Sequence, residues 1–417
     1  MAIDFWNIVV LVGIILGSTE IIFYLWVTYV RKHFQWLITS NDEIPKLSEE
    51  GLKKFIPHGF DPELGWVRKP NTSHNEKGKF GTTTWNIDNI GSRFNPKYTN
   101  LKPTISCYGD SFTFCRQVND NETWEHYLSE LLNTNVVNFG VGNHGIDQSL
   151  LRIKREYPKN QTNIVILAVV PDTISRIMSV WKHYYEYGNT FAFKPRFKLK
   201  NNKLHLIKNI IDEEDKFYNY EIFLADIKQH DFFYSKKFKK EIIKFPYFFT
   251  TLKNLRRNFS ILFWVTNIHI LKKIGKDTSS IDWNPMRTIM KLNLQWRLKL
   301  FKQNDSCELL KKVIEEFVSY GKKEQFKPVF IFLPQKDDIL FLKRNYHFYE
   351  ELMNSLKNIE DIHVIDLTTI FIEEPDLDSF YSDDNEYGGH FSKFGNKKIA
   401  SIIKRELIKL KLIQRNS

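Results

Sequence analysis

The sequence predicts an α/β chain: a three-layer α/β/α sandwich on a parallel five-stranded sheet, with an N-terminal transmembrane helix and a long helical insertion. Three observations predict it. After Thr104, apolar runs of four to six residues alternate with amphipathic segments, the pattern of strands buried on both faces and joined by helices. Between Asp4 and Arg31 the only charged side chain is Glu20. Between Val170 and Lys327 lie roughly 150 residues, where a crossover needs about a dozen.

These observations set the predicted boundaries. Residues 1–33 are a membrane anchor, 34–103 a loop-rich extension, and 104–417 the sandwich, interrupted by an insertion over 171–305. In the extension only Ser48–Phe55 has a helical pattern. The predicted strands are Ile105–Tyr108, Val136–Phe139, Ile164–Val169, Val329–Leu333 and Val364–Leu367. The predicted helices are Thr123–Leu132, with Trp124, Tyr127, Leu128 and Leu131 on one face, then Glu308–Tyr320, Tyr346–Leu356 and Gly395–Leu410. Within the insertion, Lys194–Ile207 reads as a hairpin.

The N-terminal run exceeds the about 20 apolar residues a spanning helix needs. Trp6, Tyr24, Trp26 and Tyr29 lie near its ends, as an aromatic belt requires. A cleaved signal wants a basic n-region, and this one carries Asp4 and no Lys or Arg. An uncleaved single-pass anchor is therefore expected. Glu20 inside it costs about 2.5–3.5 kcal/mol if charged. Its readings are a protonated carboxyl near the interface or a polar contact to a partner helix. Arg31 and Lys32 favour a cytoplasmic side for the bulk of the chain, with the extracytoplasmic side left open.

With 60 Lys/Arg against 49 Asp/Glu the net charge is +11, and the excess is local. Lys228–Lys302 holds 17 basic and 4 acidic residues, so the remainder is near neutral. Phe259–Leu271 within it is apolar but too short to span. A solvated helical cap, a patch on anionic lipid and a site for an anionic polymer all fit. Nucleic acid is not expected, since no recognition motif is present. Three cysteines exclude a disulfide scaffold, and Cys107, Cys115 and Cys307 are expected free. No spacing suggests a metal, and no cofactor is expected.

Three segments carry candidate chemistry. The first strand ends in Gly109-Asp110-Ser111, which puts a serine hydroxyl beyond the carboxyl edge of a parallel sheet, where ligands bind. The second strand leads into Gly140-Val141-Gly142-Asn143-His144-Gly145, whose glycines bring backbone amides close to that edge. Gly388-Gly389-His390 precedes the last helix, with Asp383 and Asp384 upstream.

Together these resemble the SGNH (GDSL-type) hydrolases, in particular their membrane-anchored bacterial and archaeal members. The resemblance covers Ser106–Val170 and Lys327–Lys404 and extends to Gly65-Trp66 and Asn89-Ile90-Gly91-Ser92-Arg93. It implies a flavodoxin-like sheet, Ser111 as nucleophile and His390 as general base. It also implies an oxyanion site made by the amides of Ser111 and Gly142 or Asn143. Two departures stand out. Proline occupies position 171, where the family has an asparagine, and Asp172 beside it cannot donate when ionised. Tyr387 occupies the position of the family's acid, so Asp384 or Asp383 reaches in from farther back, or a Ser–His dyad operates. Arg93 and Asp172 are candidate substrate-binding residues.

The expected activity is a serine ester hydrolase. It removes O-acyl groups, O-acetyl first, from a glycan or glycolipid at the membrane through an acyl-enzyme. Alternatives are an O-acyltransferase at the same site, a catalytically impaired glycan-binding protein, and a lipase or phospholipase.

Overall fold

The computed structural model describes residues 5–78, 81–383 and 385–414. The chain divides into two units that interleave in sequence. One holds residues 48–180, 191–230 and 296–417; the other holds 1–47, 181–190 and 231–295. Residues 171–305 are thus shared between them.

The larger unit contains the sheet: β1 Pro103–Gly109, β2 Asn135–Asn138, β3 Ile164–Val169, β4 Lys327–Phe332 and β5 His363–Asp366. The strands are parallel in the order β5-β4-β3-β1-β2, with Ile105 opposite Ile164 and Val329 opposite Ile166. This is the flavodoxin-like order expected.

The longer helices are α1 Phe5–His33, α2 Trp124–Leu132, α3 Ile146–Glu156, α4 Ser260–Lys273, α5 Asn304–Glu324 and α6 Lys393–Lys409. Thr123 starts α2 by accepting the His126 amide at 3.0 Å, and Asn133, at φ 51°, ends it. Strand residues of one parity, including Ile105, Cys107, Ile166, Ala168, Val329 and Ile331, pack with Trp124 and Leu128 of α2 and Ile399 and Ile403 of α6. Helices α3 and α5 pack on the sheet and on each other. β2 and β3 are fully buried and β1 and β4 nearly so, because both faces are covered, while the edge strand β5 is half-buried. The apolar runs end within a residue or two of the observed strands. Antiparallel Arg196–Lys200 and Lys203–Ile207 form the expected hairpin.

The smaller unit is built on α1. Val27, Val30 and Leu37 form its core with Ile243, Ile261, Leu262 and Val265. An 18-residue window of α1 has a mean hydropathy of 2.3, so this helix is long and apolar enough to cross a membrane, as an anchor or a signal sequence is.

Candidate active site

Ser111 sits immediately beyond β1, where the chain turns into the short helix Ser111–Phe114. Gly109 is required here by close approach: a Cβ would lie 1.8 Å from the Ala168 carbonyl oxygen on the neighbouring strand. Asp110 is fully buried and fixes the turn. Its carboxylate accepts the amides of Phe112 (2.9 Å) and Val170 (3.0 Å) and pairs with Arg176 at 3.0 Å. Burial pushes this carboxyl up, against the pull of Arg176 and the two amides.

The loop after β2 lies against Ser111. A Cβ built on Gly142 would stand 4.0 Å from the Ser111 Cβ. Among the described residues, the amides of Ser111, Gly142 and Asn143 make no hydrogen bond within the chain. Trp66 sets their direction. Its indole N–H donates to the Gly142 carbonyl at 2.9 Å. In a trans peptide the Asn143 N–H then points away from Trp66. His144 is fully buried, and its Nε2 donates to the Trp66 carbonyl at 2.7 Å. Burial holds that imidazole neutral, well below its ordinary pKa. The Gly-Trp element upstream of the domain is therefore the clamp of this loop.

His390 packs against Phe112, the residue after Ser111. Its ring lies 4.8 Å from that of Phe112, and Phe391 packs edge-on against the same ring. The Ser382 amide donates to the His390 carbonyl (2.8 Å), and the Ser392 amide to Phe380 (2.9 Å). The imidazole Nδ1 is 2.9 Å from Oε1 of Gln117, a residue that sequence reasoning missed. The same oxygen receives the His390 backbone N–H at 2.9 Å and the Ser382 hydroxyl at 2.7 Å. A backbone N–H can only donate, so this atom is the amide oxygen and Nδ1 carries the proton. Nε2 keeps its lone pair, the tautomer a general base needs. Gly389, at φ 65°, lets the loop reach Gln117; a Cβ there would meet the Ser382 hydroxyl at 2.7 Å. Desolvation, aided by Arg116 and Arg176, pushes the His390 pKa down to about 3.

Three expectations change here. Asp383 does not back the imidazole: its carboxylate accepts the Asn385 amide at 3.2 Å within a turn. Asp384 lies outside the described residues. Arg93 is buried and donates to the carbonyls of Phe114 (2.6 Å), Cys115 (2.5 Å) and Val118 (2.6 Å), with Asp120 on Nε at 3.0 Å. Its guanidinium is committed to holding the loop that carries Gln117, so it is a positioning residue rather than a substrate ligand. Asp172 pairs with Arg176 (3.3 Å) and Arg297 (3.2 Å), which turns its carboxylate to protein cations instead of substrate. Arg297 also binds Asp337 at 3.1 Å and Asp338.

Nothing in the spacing around Gln117 marks it. The one available signal was indirect: with Tyr387 where the acid belongs, some other acceptor has to face Nδ1. Pro171 offers no side-chain donor to the oxyanion site.

The strand order, a serine at the end of β1 and a histidine loop before the last helix settle the architecture. The larger unit has the flavodoxin-like α/β/α fold that the resemblance to SGNH-type hydrolases implies. Solved structures similar to the chain include a putative lipolytic protein of the G-D-S-L family from Desulfitobacterium hafniense DCB-2. That match has 12% identity and a TM-score of 0.32, and covers 73% of this chain and 99% of the other. A lipase/acylhydrolase from Enterococcus faecalis matches at 13% identity and TM-score 0.33, over 73% and 95% of the two chains. The acetyl xylan esterase AlAXEase matches at 11% and 0.33, over 72% and 98%. No family model and no curated protein matches the chain.

Proposed function

We propose that this SGNH-type unit is an ester hydrolase that works through an acyl-enzyme on Ser111. The observation that carries the reading is the set of free backbone amides beside Ser111 together with a histidine held in the base tautomer. In the first step the Ser111 hydroxyl attacks the ester carbonyl and its proton passes to His390 Nε2. The carbonyl oxygen becomes an oxyanion, stabilised by the amides of Ser111, Gly142 and Asn143. The tetrahedral species collapses, the alkoxide leaves with the proton from Nε2, and the acyl group stays on Ser111. Water then attacks the acyl-enzyme, giving its proton to Nε2. The carboxylic acid departs and Ser111 is reprotonated.

Gln117 keeps the Nδ1 proton in place through both halves. An amide dipole stabilises the transient imidazolium less than a carboxylate does, so turnover is expected to be modest. We read the substrate as an O-acylated glycan or glycolipid, with acetyl the first acyl group to test. The supporting feature is α1, read as a retained single-pass anchor that keeps the site near membrane-linked substrates.

A fluorophosphonate probe tests the chemistry on the full chain in detergent. The expected result is a stoichiometric adduct mapped to Ser111 and dependent on His390. No adduct on folded protein overturns the reading, because the probe needs no particular substrate.

A further inference from the structure

The segment between Phe245 and Ile274 in the smaller unit has no role in the chemistry above, yet it exposes large apolar side chains. Phe245 is 73% exposed and Phe249 62%. On α4 and at its C-cap, Phe263, Ile270 and Ile274 follow helical spacing and are exposed, while Ile261, Leu262 and Val265 are buried. Large apolar side chains exposed together within one short segment mark a site of interaction. Three observations identify its occupant.

The first is attachment to α1. The Glu20 carboxylate accepts the amides of Tyr247 (2.5 Å) and Phe248 (3.0 Å). Phe23 packs on Phe248, Tyr24 on Tyr247 and Trp26 on Phe259. The Trp26 indole N–H donates to Thr266 at 2.7 Å. Glu20, Phe23, Val27 and Val30 recur at helical spacing, so one face of α1 is a protein-packed face.

The second is depth. Every side chain from Phe5 to Ser18 is exposed, but at about 1.5 Å per residue this stretch is only roughly 21 Å long. The hydrocarbon core is about 30 Å thick. A spanning α1 therefore places the turns from Thr19 to Tyr24 in the membrane as well. Those are the turns that hold Tyr247 and Phe248.

The third is charge. From Lys244 to Lys276 the chain carries seven Lys/Arg and no Asp/Glu. Lys253, Arg256, Lys272, Lys273 and Lys276 are exposed beside the apolar residues. Exposed aromatic and aliphatic side chains bordered by cations match the boundary of an anionic leaflet.

We propose that residues 245–274 form a second lipid-contacting element, pinned to α1 through Glu20, whose exposed apolar side chains enter one leaflet of an anionic bilayer without crossing it. The proposal takes α1 as spanning the bilayer. It also accounts for Glu20, whose carboxylate satisfies two backbone amides at membrane depth.

The test uses the full chain with Cys307→Ser, reconstituted in phosphatidylcholine–phosphatidylserine vesicles. Single cysteines carrying an environment-sensitive fluorophore replace Leu11, Phe249, Phe263 or Ile270. Each is challenged with brominated lipid and with aqueous iodide. The expected result is loss of emission with brominated lipid, and protection from iodide, at Phe249, Phe263 and Ile270 as at Leu11. Quenching by iodide alone at the three positions overturns the proposal. Protection from both quenchers also overturns it and points to a protein contact, either a second copy or a partner. Leu11 separates the two ideas. Lipid quenching there without quenching at 249, 263 and 270 keeps the anchor and sinks the second element. The reverse sinks the anchor and overturns the proposal with it, since the depth given to Glu20 needs a spanning α1.

Discussion

In the larger unit, Arg176 and Arg297 lie buried among Asp110, Asp172, Asp337 and Asp338, each guanidinium within hydrogen-bond reach of carboxylates. In the smaller unit, the stretch from Lys244 to Lys276 has cations and no acids, set among exposed phenylalanines and isoleucines. The first arrangement balances its charge internally, because a buried ion costs several kcal/mol unless paired. The second leaves both charge and apolar surface for something outside the chain. The buried core of that unit follows the first rule, with Glu241 between Lys237 (3.2 Å) and Arg257 (3.3 Å). The contrast is thus between buried and outward-facing chain. It teaches that the basic excess seen in the sequence has two different destinations.

Six substitutions and one titration test this contrast. Ser111→Ala has the largest expected effect, removing the probe adduct and lowering ester hydrolysis by at least about 10⁴-fold. Full activity in that variant would move the chemistry away from β1. Arg297→Met leaves three carboxylates crowded without their shared cation, and unfolding in urea should show a loss of about 3–5 kcal/mol. Unchanged stability would mean that the buried pairing contributes little.

Gln117→Leu removes the acceptor for Nδ1, and a drop in kcat of about 10²-fold is expected, with KM nearly unchanged. Gln117→Glu supplies a carboxylate, which raises the His390 pKa and moves the acid limb of the pH profile upward. If Gln117 only packs, both variants leave that limb in place.

The unmodified site makes its own pH prediction. The base works unprotonated, and its pKa is lowered from an ordinary value of about 6.5. kcat/KM should therefore hold as pH falls from 7 to about 5, where an unperturbed histidine would already be mostly protonated. The smallest effect is expected for Lys272→Gln and Lys273→Gln. Each should weaken attraction to an anionic surface by about 1 kcal/mol, seen as shallower lipid quenching at Ile270 and no loss of folding stability.

Much of the fold was legible because its signals are local. Continuous apolar runs give buried strands whatever lies elsewhere in the chain, and five of them in alternation with helices give the sheet. Ser111 and His390 were legible because each sits at a fixed place relative to a strand end or a helix start. Arg93 shows the limit. Its sequence position placed it near the site, but only its three carbonyl partners reveal that it serves the loop and not a ligand.

By itself the sequence determined the five strands, the places of Ser111 beyond a strand end and of His390 before the last helix, and the apolar length of α1. Each is encoded within a few consecutive residues. Tertiary structure alone decided that Gln117, 273 positions from His390, faces its Nδ1. It alone decided that Glu20 meets amides 227 and 228 positions away. Such pairings depend on where the folded chain returns, and periodicity and motif spacing carry no record of that.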